Sequence, residues 1–195
     1  KSRFEKGQIR RIRMSKVAVM LANGFEEIEA LTVVDVLRRA SITCEMVGLE
    51  DKVTGSHGIQ VIPDIVFAGG LSDYDLVVLP GGMPGSANLR DNEVLIDELQ
   101  GLNQAGKKLA AICAAPIVLN RAGLLSGKKF TCYDGVQEQI ADGSYLKEIV
   151  VVDDNIITSR GPATALAFSY YLVEILGGDA ESLRKGMLYQ DIFGK

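Results

Sequence analysis

The stretch KVAVMLANGFEEIEALTVVDVLRRA, residues 16–40, carries the pattern that decides the fold class. Its first seven residues form a short apolar run, which is typical of a strand buried on both faces of a sheet. Asn23-Gly24 ends that run, and apolar residues then recur at helical spacing from Ile28 to Leu37. The stretch therefore predicts a buried strand over 16–22, a turn, and a helix over 26–40.

The same alternation of strand and helix patterns continues along the rest of the chain. Further strands are predicted at 42–49, 57–62, 75–79, 108–112, 130–132, 149–152 and 156–159. Further helices are predicted at 93–105, 116–122 and 163–176. Asp153-Asp154-Asn155 predicts a hairpin between the last two strands. Strands that alternate with helices predict an α/β fold, with a mainly parallel sheet covered by helices on both faces.

Length and charge indicate one globular domain with a basic N-terminal extension. The chain has 195 residues, of which 47% are apolar, and this suits a single domain. Residues 1–13 contain six Lys or Arg and one Glu, whereas the remainder carries a net charge of −9. We expect residues 1–13 to be a disordered extension or a tag, Met14 to be the natural start, and residues 14–195 to form the domain. The acidic domain argues against nucleic-acid binding, which depends on neutralising phosphates.

The sequence also indicates the cellular compartment in which the protein resides. No uninterrupted apolar run approaches the roughly 20 residues of a membrane span. The N-terminus lacks the apolar region of a secretory signal. Cys44, Cys113 and Cys132 therefore indicate free thiols in a reducing compartment. We expect a cytoplasmic protein that binds neither membranes nor nucleic acid.

Ligands of such sheets bind beyond the carboxyl ends of the strands, and Cys113 follows one of these ends. A nucleophile on a tight strand-to-helix turn needs small neighbours two residues away, and Ala111 and Ala115 meet that need. Pro116 suits the first helical turn. A helix dipole supplies about 0.3–2 kcal/mol of the roughly 3.4 kcal/mol that a thiolate at neutral pH requires, so hydrogen bonds must supply the rest. The alternative is a buried structural cysteine.

Two other strand ends, at 22–29 and 79–86, carry candidate partners for this thiol. Gly81-Gly82 lets the backbone approach a ligand, and a glycine N–H can join that of Ala114 in an oxyanion hole; the alternative is a turn with positive φ. Glu26, Glu27 and Glu29 open the first helix, where acidic residues complement its dipole. Alternatively, one of them faces the thiol in its protonated form, donates a hydrogen bond to sulfur, and shuttles protons.

Histidine gives the most informative negative result, because His57 is the single histidine of the chain and precedes Cys113. Cysteine hydrolases need an imidazole base near the sulfur, so proteolysis and glutamine amide hydrolysis are disfavoured. We expect His57 to be a surface or hydrogen-bonded residue. Few soft ligands and no nucleotide-binding motif are present, so the sequence predicts neither a metal nor a cofactor.

Four segments taken together resemble the ThiJ/PfpI superfamily, in the branch of the Parkinson-disease-associated protein deglycase. They are GFEEIE at 24–29, VVLPGG at 77–82, AAICAAP at 110–116 and TSRGP at 158–162. The resemblance implies a flavodoxin-like fold and a homodimer. It also implies that Cys113 is the reactive cysteine, that Glu29 is a protonated carboxyl bonded to it, and that Gly82 and Ala114 are the backbone donors.

The sequence departs from that family pattern at three positions. The protease-like branch carries His directly after its cysteine, where this chain has Ala114. Close deglycase relatives carry a pocket His that aligns with Tyr133, and tyrosine is a weak base at its usual pKa of about 10. His57 aligns with an arginine near the site in relatives. Arg160 is either an anion-binding residue or, as we favour, part of a structural ion pair. Tyr133, His57 and Arg160 are thus the remaining pocket candidates.

Two hypotheses of different classes follow from the residues and the resemblance. The first is a cofactor-independent enzyme in which Cys113 attacks small reactive carbonyls or glycated protein, as in a glutathione-independent glyoxalase or a protein deglycase. The second is a redox-sensing or chaperone-like dimer without turnover, which uses the same oxidisable cysteine. Both hypotheses require an accessible thiolate, so the sequence alone leaves the choice between them open.

Overall fold

The computed structural model describes residues 14–194, so the extension expected at residues 1–13 lies outside it. The strands are Lys16–Leu21 (β1), Thr43–Gly48 (β2), Val53–Thr54 (β3), Gln60–Val61 (β4), Ile65–Val66 (β5), Leu76–Leu79 (β6), Lys108–Ile112 (β7), Lys129–Phe130 (β8), Ser144–Tyr145 (β9), Val150–Asp153 (β10) and Ile156–Ser159 (β11). The α-helices are Glu27–Arg39 (α1), Gly85–Arg90 (α2), Glu93–Gln104 (α3), Pro116–Arg121 (α4), Ala165–Ile175 (α5), Ala180–Gly186 (α6) and Tyr189–Phe193 (α7).

Seven strands form one sheet in the order β10-β11-β7-β6-β1-β2-β5. Every pair in this sheet is parallel except β10 with β11, which form the antiparallel hairpin that the sequence predicts. The strands β2 and β5 lie on one side of β1, and β6, which follows them in the chain, lies on the other side. This reversal of direction opens a crevice at the carboxyl ends of β1 and β6.

Side chains that alternate along the buried strands divide the core between the two faces of the sheet. Ala18 and Met20 of β1 join a cluster that contains residues of α3 and α4. Val17 and Val19 join the opposite cluster, which contains residues of α1 and α5. Alternation of side chains has this result wherever both faces are covered by helices. The predicted architecture, a mainly parallel sheet between two helical layers, is thus confirmed.

Two predicted strands are shorter than expected. Of 57–62, β4 alone is extended, and it pairs with β3 outside the main sheet. The His57 amide is taken by the Glu27 carboxylate, and Gly58 has φ +81°, which interrupts an extended chain. Of the predicted strand 130–132, only Phe130 lies in a strand. The strand ends there because the Thr131 amide donates to the Thr158 hydroxyl instead of to a neighbouring strand. No helix between residues 14 and 194 is long and apolar enough to cross a membrane.

Candidate active site

The crevice between β1 and β6 brings together the three strand ends that the sequence singles out. Glu29 follows β1, Gly81 follows β6, and Cys113 follows β7, the next strand of the sheet. The Glu26 amide donates to the Gly81 carbonyl at 2.9 Å and ties the first two of these ends together. A Cβ atom built on Gly81 would lie 2.4 Å from Glu29 Oε1 and 2.6 Å from Cys113 Cβ. The Glu29 carboxyl and the Cys113 side chain therefore both pack against the backbone of Gly81.

Cys113 occupies the tight turn that its small neighbours predict. Its φ is +65°, a left-handed conformation that is uncommon for a residue with a side chain. The turn is held in place because the Cys113 amide donates to the Ser159 carbonyl at 3.0 Å, while its carbonyl accepts from the Tyr133 amide at 3.0 Å. Ala111 and Ala115 are fully buried on either side. Cys113 itself is half-buried, whereas Cys44 and Cys132 are buried.

Glu29 lies in the first turn of α1 and has no exposed surface. Its Oε1 accepts a hydrogen bond from the Gly81 amide at 3.0 Å. Its Oε2 is buried without a well-aligned hydrogen-bond partner. A buried carboxyl with so few donors favours its neutral form, because desolvation disfavours the charge. Burial therefore raises the pKa of Glu29 to about 7, and the nearby charge of Glu26 adds to this effect.

The protonation of Cys113 depends on that of Glu29. Burial and the charge on Glu29 raise the pKa of the Cys113 thiol, whereas hydrogen bonds from the Ala114 and Gly82 amides lower it. Once Glu29 carries a proton, its charge no longer opposes a thiolate and its O–H becomes a further donor to sulfur. The helix after Cys113 has six residues, so its dipole adds little. Specific donors, rather than the helix, are the groups that can stabilise a charged sulfur here.

The glycine pair after β6 has two separate structural tasks. Gly82 has φ +91°, and a Cβ on it would lie 2.5 Å from the Glu26 nitrogen, so a side chain is excluded. Its amide and that of Ala114 are hydrogen-bond donors that lower the pKa of the Cys113 thiol. The amide of Gly81 instead holds the carboxyl of Glu29. Sequence reasoning did not assign Gly81 this role, although its position in the strand-end glycine pair was the available signal.

Tyr133 and Arg160 line a separate open pocket of about 230 Å³, together with Asp134 and residues 161–164. The Tyr133 side chain is 54% exposed, and its backbone links the pocket to Cys113. The Arg160 guanidinium pairs with Asp134, while its Nε is buried without a hydrogen-bond partner. This geometry agrees with the structural ion pair that we favour for Arg160.

His57 lies at the other side of the crevice, on the turn between β3 and β4. Its amide donates to Glu27 Oε1 at 2.8 Å, and its Nδ1 lies 3.0 Å from Glu27 Oε2. The ring is 71% exposed, and its polar contacts are with Glu26, Glu27 and Ser56. His57 is therefore hydrogen-bonded at the surface, as expected. The burial of Glu27 beneath it was not predicted.

Comparison with known proteins supports the resemblance at the level of sequence. The model of the DJ-1/PfpI family matches residues 15–175. Protein dj-1beta of Drosophila melanogaster is 42% identical over 183 residues, which cover 90% of this chain and 98% of the relative. The glutathione-independent glyoxalase DJR-1.2 of Caenorhabditis elegans is 33% identical over 157 residues, which cover 78% of this chain and 83% of the relative.

Solved structures agree with these matches. The crystal structure of Drosophila melanogaster DJ-1beta has a TM-score of 0.86 at 42% identity and covers 90% of this chain and 98% of that one. The structure of oxidized Toxoplasma gondii DJ-1 has a TM-score of 0.84 at 35% identity and covers 89% of this chain and 98% of that one. With 161 residues matched by the family model and a 42% identical relative aligned over 98% of its length, this chain belongs to the DJ-1/PfpI family.

Proposed function

We propose that this protein is a cysteine-dependent enzyme that converts small reactive carbonyls, of the glutathione-independent glyoxalase or protein deglycase type. The observation that carries the proposal is the contact between Cys113, held at φ +65°, and the fully buried Glu29. A strained, half-buried thiol beside a carboxyl whose pKa lies near 7 is suited to nucleophilic and proton-transfer chemistry. One relative is named as a glutathione-independent glyoxalase, which supports this choice of substrate class.

In the proposed reaction, the Cys113 thiolate adds to the aldehyde carbon of methylglyoxal and forms a hemithioacetal. In this proposal the amides of Gly82 and Ala114, which act on the thiol as hydrogen-bond donors, also stabilise the new oxyanion. Glu29 gives its proton to that oxyanion and, as a carboxylate, removes the proton from the aldehyde carbon, which leaves an enediolate. Return of that proton to the neighbouring carbon, with transfer of the hydroxyl proton from the first oxygen to the second, gives the thioester. Water hydrolyses the thioester to lactate and restores the thiol, so that one water is consumed for each turnover.

The same nucleophile is able to act on a methylglyoxal adduct of a protein. A hemithioacetal or aminocarbinol releases its protein group when the carbonyl passes to Cys113, and the later steps are unchanged. The half-buried position of Cys113 favours small adducts that reach into the crevice. In this proposal Tyr133 replaces the imidazole of close relatives, so Glu29 carries the proton transfers. The homodimer that the resemblance implies stays a prediction.

Glu29→Gln is expected to lower kcat for lactate formation by roughly 10²–10⁴-fold, the usual contribution of a general acid or base. Glutamine keeps the size of the side chain and an oxygen for the Gly81 amide, so the fold is preserved. The measurement is the lactate produced from methylglyoxal without glutathione. Glu148→Gln, at an exposed position, serves as the control and is expected to match wild type. An unchanged rate in Glu29→Gln would remove Glu29 from the mechanism.

A second candidate function, redox sensing without turnover, is favoured by the different exposure of the three thiols. Cys44 and Cys132 are buried, so peroxide in solution has little access to either thiol. Cys113 is the cysteine that solvent reaches. The solved Toxoplasma gondii DJ-1 is described as oxidized, which supports the proposal that oxidation is accessible in this family.

One equivalent of hydrogen peroxide is expected to oxidise Cys113 before either of the buried thiols. Peroxide converts the thiolate to sulfenic acid with release of hydroxide, and a second equivalent gives sulfinic acid. Peptide mass spectrometry after unfolding and alkylation measures the result, with gains of one and two oxygens on the Cys113 peptide. Oxidation distributed equally over the three cysteines would contradict a dedicated sensor.

A further inference from the structure

Glu26, Glu27 and His57, which we name the Glu–Glu–His cluster, form a compact set of ligand-type side chains beside the site described above. Glu26 caps the N-terminus of α1, Glu27 is its first residue, and His57 reaches them from the turn between β3 and β4. One ligand atom from each residue lies within 4.8 Å of the other two. The cluster is separate from the Cys113 and Glu29 pair, and the proposed reaction does not use it.

Between residues 14 and 194, the buried carboxylates of the cluster have no lysine or arginine partner. The side chains of Glu26 and Glu27 are 10% and 6% exposed. Within residues 14–194, their only ion-pair contact is with His57, and no Lys or Arg nitrogen lies within 4.0 Å of them. Buried carboxylates are normally paired with a cation or bound to a metal ion. Two carboxylates that share one exposed imidazole retain a net negative charge, which a bound cation would neutralise.

One oxygen of each carboxylate accepts from a backbone amide, and the other lies nearest the imidazole. Glu27 Oε2 also accepts a long hydrogen bond, 3.4 Å, from the Ser56 hydroxyl. Glu26 Oε2 accepts from the Glu29 amide at 2.9 Å, and Glu27 Oε1 accepts from the His57 amide at 2.8 Å. Glu26 Oε1 and Glu27 Oε2 lie 3.7 and 3.0 Å from His57 Nδ1. Backbone hydrogen bonds to the second oxygen orient ligands in metal sites in the same way.

The separations of these atoms fit a small divalent ion. Bonds of about 2.1 Å in a tetrahedral site place neighbouring ligands about 3.4 Å apart. The two distances to Nδ1 lie on either side of that value, so small side-chain shifts would complete the geometry. One imidazole nitrogen and two carboxylate oxygens are ligands that Zn²⁺ accepts, and water fills the fourth position.

We propose that Glu26 Oε1, Glu27 Oε2 and His57 Nδ1 bind one divalent transition-metal ion, with Zn²⁺ as the best fit. The ion would join the N-terminus of α1 to the β3–β4 hairpin. The sequence predicts no metal because soft ligands are few. In this site two of the three ligands are carboxylates, which lie 31 and 30 positions before His57 in the chain. Neither Cys113 nor Glu29 is a ligand.

The test is a titration of the full chain with Zn²⁺ in competition with a chromophoric chelator. We expect one ion per chain for wild type, and binding at least tenfold weaker for Glu27→Gln and for His57→Ala. His57 is the single histidine, so its imidazole NMR signals report directly on this site and are expected to shift with one equivalent of Zn²⁺. Cys113→Ser is expected to bind as wild type does, which separates the cluster from metal capture by the thiol.

Three results would overturn the proposal. Wild type that binds no Zn²⁺ would exclude the site, and so would imidazole signals that do not move on titration. Loss of binding in Cys113→Ser, with retention in His57→Ala, would assign the ion to the thiol instead. His57 is exposed, so His57→Ala is expected to fold normally, and its thermal melt without metal verifies this. None of these measurements depends on turnover, so the metal proposal and the proposed function are tested separately.

Discussion

Cys113→Ser is expected to reduce lactate formation from methylglyoxal, assayed without glutathione, to the background rate. A serine hydroxyl is a far weaker nucleophile than a thiolate. The N–H donors and the carboxyl around Cys113 do not ionise a hydroxyl as they can a thiol. Loss of a nucleophile typically costs about 10³-fold or more in kcat. Serine is close to cysteine in size and polarity, so the turn with φ +65° is retained. Wild type and variant are compared side by side by enzymatic determination of lactate.

Cys44→Ala is the matched control, because Cys44 is buried in β2 and plays no part in the proposed mechanism. It is expected to turn over methylglyoxal at the rate of wild type. Activity retained in Cys113→Ser would exclude Cys113 as the nucleophile. Equal background rates in wild type and Cys113→Ser would exclude the enzymatic proposal and leave redox sensing as the function of this thiol. Tyr133→His would then be the variant in which to look for recovered turnover.

The fold was predictable because its information is local. Apolar runs such as 17–21 and 76–79 are buried on both faces of the sheet, and the turns between elements carry glycine or asparagine. Cys113 could be identified in the same way, since four alanines and a proline lie within three positions of it. The parallel sheet then required the strand ends to converge at one edge, which predicts a glutamate of 26–29 beside the thiol. The resemblance, and not the topology, selected Glu29 among the three.

The remaining features depend on contacts between distant parts of the chain. The hydrogen bond from Gly81 to Glu29 spans 52 positions, and that from His57 to Glu27 spans 30. No local pattern encodes such pairs, so the role of Gly81 and the Glu–Glu–His cluster were not predicted. The short helix Gly85–Arg90 was missed for a related reason: its sequence, GSANLR, has weak helical propensity, and the helix forms where it packs on α4.

Gly81→Ala is expected to disable the site from a position that carries no side chain of its own. The backbone of Gly81 is not in the left-handed region, so alanine is excluded by lack of space rather than by φ. Its Cβ would lie 2.4 Å from Glu29 Oε1, 2.6 Å from Cys113 Cβ and 2.8 Å from the Ile112 carbonyl oxygen. Two of these groups form the proposed catalytic pair, and the third belongs to the rigid end of β7. The end of β6 must therefore move away, which breaks the hydrogen bond to Glu29.

Overpacking of this kind typically costs about 1–3 kcal/mol of folding free energy, which urea denaturation measures. We expect lactate formation by Gly81→Ala to fall at least about a hundredfold at a temperature where the variant is fully folded, because the carboxyl and the thiol no longer meet. Gly101→Ala is the matched control: Gly101 is exposed within α3 with no atom near its Cβ position, so alanine should stabilise the helix by roughly 0.5–1 kcal/mol and leave turnover unchanged. Wild-type stability and turnover in Gly81→Ala would mean that the thiol and carboxyl are held together by something other than the packing over this glycine, and the proposed proton transfer between them would lose its geometric basis.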